Sequence, residues 1–204
     1  MTRHTRTLIA AAALFALASA PAHAGSRGFE ADIDRRVTDA VRLDIQLSES
    51  LAYRAENLPR DMALRSGSRS LRSGFANNGL YGEEDLAELL EELRENLTDD
   101  LGKRGLSVSD TAPVTLRVVL EDVKNNRPTF RQLSSQPNLS FQSFGNGGAE
   151  ISGELLGAGG ETLGTLRYQW YDSQLDQFDR ASGTWTDANQ AIRRFAKRAS
   201  KAIS

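Results

Sequence analysis

Residues 149–172 read AEISGELLGAGGETLGTLRYQWYD, and this stretch decides the fold class. Two strand candidates, 149–156 and 162–172, flank Gly157-Ala158-Gly159-Gly160, a connection of hairpin length. In the second strand Leu166, Tyr168 and Trp170 share one face, while Thr165, Arg167, Gln169 and Tyr171 take the other. A strand patterned this way has one face in a core and one in water. Strands joined so tightly run antiparallel. The glycine-rich run 157–164 also has the composition of a phosphate-binding loop. That site needs a strand before it and a helix after it. Here a strand follows, so the run reads as a turn, and no GxxxxGK[ST] occurs in the chain.

Working outward, residues 114–123 alternate Val114, Leu116, Val118 and Leu120 and read as a third strand. Residues 125–147 between them are polar, with Pro128, Pro137 and Asn146-Gly147. Residues 41–47, VRLDIQL, alternate strictly and give a fourth. Residues 83–104 form the clearest helix: Leu86, Leu89, Leu90, Leu93, Leu97 and Leu101 make one apolar stripe. Glu83, Glu84 and Asp85 suit its positive end, Lys103 and Arg104 its negative end, and Gly105 is the expected left-handed stop. A final helix opens at a Thr186 cap and buries Ala188, Ala191, Ile192, Phe195, Ala199, Ala202 and Ile203. Arg193, Arg194, Lys197, Arg198 and Lys201 are left for its other faces.

Two segments read less sharply. Phe29, Ile33 and Val37 recur every four residues, which suggests a short helix or a docking arm. Residues 48–82 form a long Ser/Arg/Gly-rich connection, with a short strand or helix near Met62. The expected fold is therefore α+β: a mostly antiparallel sheet of about four strands, with two amphipathic helices packed on one face. Only the strand–helix–strand portion is expected to form a parallel crossover.

The first 24 residues carry Arg3, His4 and Arg6, then the apolar run LIAAAALFALASA, then Pro21 and Ala22-His23-Ala24. That is the pattern of a cleavable signal peptide, and the apolar run is shorter than the ~20 residues a spanning helix needs. Cleavage after Ala24 is expected to release residues 25–204 as a single periplasmic domain without a transmembrane segment. The chain has no Cys, so neither acylation nor disulfides are expected. Both histidines, His4 and His23, leave with the leader, as do Arg3 and Arg6 but no acid, so the net charge moves from −2 to −4.

Without His or Cys, Ser-His-Asp and Cys-His nucleophile systems and ordinary zinc sites are excluded from the released domain. Residues 83–104 hold nine acids and three bases, which read as the solvated face of the leucine-striped helix. The spacing of Asp172, Asp176 and Asp179, and of Asp32 and Asp34, is poor for a calcium loop. No catalytic, cofactor or metal residue is expected. The most notable basic stretch is Arg65, Arg69 and Arg72, followed by Phe75 and Tyr81. Export makes nucleic acid an unsuitable target. An envelope protein or an anionic envelope component is the expected partner, with the oligomeric state left open. If the acidic helix and the basic final helix lie side by side, their rims can pair, and the basic face can equally meet anionic lipid heads.

Four features resemble a bacterial envelope family known as domain of unknown function family 3313, many of whose members are outer-membrane lipoproteins. They are the leucine-striped helix ending in Lys103-Arg104-Gly105, the strand from Thr115 to Val123 (TLRVVLEDV), the stretch from Gly148 to Leu155 (GAEISGEL) with its glycine hairpin, and Gly183-Thr184-Trp185-Thr186-Asp187-Ala188 opening the last helix. The resemblance covers residues 81–204 and implies an α+β envelope domain. It offers no catalytic residues to carry over, and the missing lipidation Cys departs from it. The expected function is non-enzymatic: a periplasmic binding or cell-envelope accessory protein. The alternatives are a hydrolase using two carboxylates on an envelope polymer, and a carrier of an apolar ligand between sheet and helices.

Overall fold

A computed structural model describes residues 28–58, 79–172 and 183–204. The leader therefore lies outside the described residues, and so does most of the 48–82 connection. The described chain runs β1 (Gly28–Ile33), β2 (Ala40–Leu47), α1 (Glu49–Glu56), α2 (Glu83–Gly102), β3 (Ser107–Val108), β4 (Thr115–Lys124), α3 (Phe130–Ser135), β5 (Gly148–Leu156), β6 (Thr162–Tyr171) and α4 (Thr186–Ile203). The strands form one sheet in the order β1-β6-β5-β4-β2-β3.

The 149–172 hairpin forms as its pattern predicts. β5 and β6 pair antiparallel, Ile151 opposite Tyr168. In the turn Gly157 N donates to Glu161 O at 2.8 Å, and the Glu161 carboxylate accepts from Gly159 N at 3.0 Å. The amides of Gly157 and Gly159 are thus turned to the loop's own glutamate, and that of Gly160 to Gly157 O. β4 pairs antiparallel with β5 and parallel with β2, Leu43 opposite Leu116. The β2–α2–β4 segment is accordingly the parallel crossover. The sheet is mostly antiparallel but has six strands, and four helices are described.

β1 corrects the expectation of a helix or arm at Phe29 and Ile33. It is an edge strand paired antiparallel with β6, Phe29 opposite Tyr168. α1 and α3 were not expected; they occupy the start of the long connection and the polar 125–147 stretch. α1 buries only Leu51 and Ala55, too short a stripe to stand out from its surroundings. α3 carries a capping box: Thr129 Oγ1 accepts from Gln132 N, and the Gln132 side chain accepts from Thr129 N at 3.0 Å.

Leu86, Leu89, Leu93, Leu97 and Leu101 of α2 are buried as the stripe requires. Gly105 (φ 80°) ends the helix: its N–H bonds Gly102 O, and Leu106 N bonds Leu101 O, the paired bonds of a Schellman stop. At α4 the expected Thr186 cap is not made. Thr186 is the first helical residue, and its hydroxyl serves Gly183 instead.

β4 has a register shift between Leu120 and Asp122. Leu116, Val118 and Leu120 point into the core before it and Val123 after it, so Asp122 comes to lie with its neighbours on the wet side. There it accepts from Arg54 of α1 and from Tyr171 Oη at 2.7 Å, tying α1 to the sheet. Burial, and then the Asp122 charge, push the Tyr171 phenol far above its usual range.

The core lies between the sheet and the α2/α4 layer. Phe195 of α4 sits with its ring centroid 6.4 Å from those of both Phe29 and Tyr168. α2 and α4 pack directly on each other, α4 over β5, β6 and β1 and α2 over β2 and β3. Among the described residues no helix is long and apolar enough to cross a membrane.

Candidate functional site

α4 carries a sharp division of labour. Ala188, Ala191, Ile192, Phe195, Ala196, Ala199 and Ile203 are buried against the sheet and α2. Arg194, Lys197, Arg198 and Lys201 follow at i, i+3, i+4 and i+7 and form a second stripe facing water. Their placement is fixed from beneath. The Arg194 guanidinium lies 4.4 Å from the Trp170 ring centroid and that of Arg198 5.4 Å from Tyr168. Such stacking is worth ~0.5–1 kcal/mol at an exposed site and restricts where the charge can go. Arg104, just past the end of α2, donates to Ser200 Oγ at 3.2 Å. Together these five side chains line a shallow depression of about 320 Å³.

Arg193, one position off the stripe, is 3.5 Å from Glu92 of α2. The acidic and basic helices therefore do lie side by side and pair at one rim. Among the described residues, none of Arg194, Lys197, Arg198 and Lys201 makes an ion pair with a carboxylate. A row of cations, two of them seated on aromatic rings and none paired with a carboxylate among the described residues, is a surface for an anion.

The start of α4 is anchored by buried polar groups. The Asp187 carboxylate accepts from Asn126 Nδ2 at 2.5 Å and from Gly147 N at 3.2 Å, and Asp187 N donates to Asn126 Oδ1 at 2.9 Å. This fixes the helix's direction across the sheet, and with it the basic stripe. Trp185, just before α4, meets Tyr81 edge-on at 5.6 Å and donates its indole N–H to Asp85 at 2.8 Å. Burial raises the Asp85 carboxyl above its ordinary range, against the lowering effect of that hydrogen bond. The folded form then binds the Asp85 proton more tightly than the unfolded chain does. The cost of its charge is absent below the unfolded carboxylate pKa of ~4 and is fully present above the raised value. Asp85→Asn keeps an acceptor for Trp185 without the charge. It is expected to match or exceed the parent's urea midpoint at neutral pH, with the difference closing in acid.

The sequence-expected site fares differently residue by residue. Arg65, Arg69, Arg72 and Phe75 lie outside the described residues. Tyr81 is fully buried, and its hydroxyl donates to Val123 O at 3.1 Å, so it presents no surface to a partner. Asp176 and Asp179 also lie outside the described residues. Among the described residues no His, Cys, Asp or Glu group is disposed to hold a metal.

Further depressions open on the surface among the described residues. One of about 500 Å³ is lined by Arg42, Asp44, Thr115, Arg117 and the 157–160 turn. Its arginines are engaged: Arg42 Nη2 with Thr115 Oγ1 at 2.8 Å, and Arg117 Nε with Asp44 at 2.9 Å. Another, about 740 Å³, is flanked by Phe130 and Phe141, which are 80% and 76% exposed. The three depressions hold one carboxylate between them, Asp44.

No family model and no curated protein matches the chain. The resemblance to family 3313 is therefore not backed by a matching model. Among solved structures, the chain is similar to a PelC dodecamer from Paraburkholderia phytofirmans, at 7% identity and a TM-score of 0.43 over 83% of this chain and 94% of that one. It is also similar to a Xanthomonas campestris protein of family DUF330, at 9% identity and a TM-score of 0.41 over 81% and 83%. A minor lipoprotein from Acinetobacter baumannii matches at 10% identity and a TM-score of 0.29 over 82% and 92%. At these TM-scores the likenesses carry no argument about what this chain does.

Proposed function

We propose that the protein is a non-enzymatic cell-envelope accessory protein, exported to the periplasm, that docks an anionic partner on the basic face of α4. The observation that carries this is the stripe Arg194, Lys197, Arg198 and Lys201, unpaired among the described residues, with two of its members seated on Trp170 and Tyr168. Export rests on the leader-like residues 1–24. Binding without catalysis is the better reading of this surface. A two-carboxylate hydrolase needs paired acids in a concave site, whereas Asp44 is the one carboxylate in the three depressions above, among the described residues, and Asp85 is engaged by Trp185. The stretch holding Arg65, Arg69 and Arg72 is a second candidate contact for the same anionic partner.

The test is a photo-crosslinking side chain at Lys197 in cells, with Tyr53 on α1 as the comparison position; Tyr53 is exposed and lies off the basic face. The expected result is one dominant product from position 197 that is absent from position 53. That product disappears when Arg194→Glu and Arg198→Glu are added. No product at 197, or the same product at both positions, overturns the proposal.

A further inference from the structure

We infer that the anionic partner of α4 is the acidic ridge of α2 on a second copy of this chain, the two copies closing as a two-fold dimer through their helix layers. This rests on the basic-face reading above and names its partner.

Glu84, Glu88, Glu91 and Glu95 of α2 are exposed and fall at i, i+4, i+7 and i+11, opposite the buried leucines. They form a continuous anionic ridge whose members repel one another. Among the described residues no ion pair reaches any of the four. Among the described residues the molecule therefore shows two stripes of opposite sign without ion-pair partners, side by side on the same helix layer: the α2 ridge and Lys197 and Lys201 of α4 are exposed, while Arg194 and Arg198 lie along α4 over the rings of β6. Side-by-side placement is what allows closure. A two-fold axis running between α2 and α4 sets the acidic ridge of each copy over the basic stripe of the other, so both stripes are met by one operation.

An extended anionic surface, such as a bilayer or a polyanion sheet, suits the arrangement less well. To reach the stripe on α4 it must also lie against the ridge on α2, where like charge repels it. A second copy brings cations to that ridge and acids to the groove at once.

The experiment uses charge reversal and the mass in solution of the purified protein, by light scattering at about 50 mM and about 0.5 M salt, where screening lengths differ several-fold. One variant carries Arg194→Glu, Lys197→Glu and Lys201→Glu. The other carries Glu84→Lys, Glu88→Lys and Glu91→Lys. The parent is expected at two-chain mass in low salt, moving toward one-chain mass in high salt. Each variant alone is expected at one-chain mass, and their equimolar mixture again at two-chain mass. If a triple variant fails to show a folded circular-dichroism spectrum, Lys197→Glu and Glu88→Lys serve as the single-reversal pair under the same criterion. A parent at one-chain mass in low salt, or a mixture that stays at one-chain mass, overturns the dimer. If the Lys197 crosslink then leads to a different molecule, or the one-chain parent binds vesicles containing phosphatidylglycerol, the basic-face reading survives and the self-association does not. If Lys197 gives no crosslink either, both fall.

Discussion

Phe195→Ala is expected to lower stability by ~3–5 kcal/mol, the usual cost of emptying a fully packed phenylalanine site. Phe195 is wholly buried, and its ring is the one α4 contributes to the cluster with Phe29 of β1 and Tyr168 of β6. Removing it hollows the join between an edge strand, its neighbour and the covering helix. The α4 residues around it, Ala191, Ala196 and Ala199, are small and buried and cannot fill the space themselves. Domains of this kind hold only ~5–15 kcal/mol in total, so the variant should unfold at a much lower urea midpoint. With urea slopes of ~1–3 kcal/mol/M, the midpoint should fall by ~1–5 M while the slope stays the same. A fall worth less than ~1 kcal/mol would mean that α4 does not press on the sheet at this point.

The second large effect is at Gly148, the first residue of β5. Its φ is +148°, and a Cβ there would stand 2.6 Å from Tyr171 Cα and closer still to Trp170 O. These are backbone atoms of the paired strand and have nowhere to go. Gly148→Ala adds backbone strain of ~1–3 kcal/mol to an overpacking cost of similar size. At ~2–4 °C per kcal/mol for a chain of this length, the melting temperature should drop by ~5–20 °C. Gly105→Ala is the comparison: Gly105 also has positive φ (80°), but nothing lies within 4 Å of its missing Cβ, so only the ~1 kcal/mol conformational cost should appear. Equal losses at the two positions would show that the strand contact is not what Gly148 is for.

What could be read from the sequence depended on how long each periodic signal ran. The leucine stripe of α2 repeats through the whole helix, and the β5–β6 hairpin combines alternation with a glycine turn, so both are as expected. β1 misled because a spacing of four fits two periods. Phe29 and Ile33 lie on one face of a helix, and with Ala31 between them equally on one face of a strand. The pairing with β6 decides it, and that partner lies at the far end of the chain. α3 did carry a local signature, Thr129 and Gln132 as a capping box, inside a stretch that otherwise reads as polar loop. The site was half legible. The cations of α4 are visible as a set, but only the structure separates Arg193, engaged by Glu92, from the four that have no carboxylate. Nor does sequence spacing reveal that Trp170 and Tyr168 lie beneath two of them. The burial of Tyr81 was equally hidden, because nothing local marks its hydroxyl as the partner of Val123 O.

The pairing of β1 with β6 also sets an order of events. The first described strand of the chain pairs, among the described residues, with the last, and Val37, just beyond it, bonds Ile203 near the C-terminus. Contacts between such distant positions close late, since each must overcome the entropy of the loop it encloses. A chain emerging from a ribosome or a membrane pore therefore cannot complete this sheet until nearly all of it is out. Until then β1 lacks the strand it pairs with.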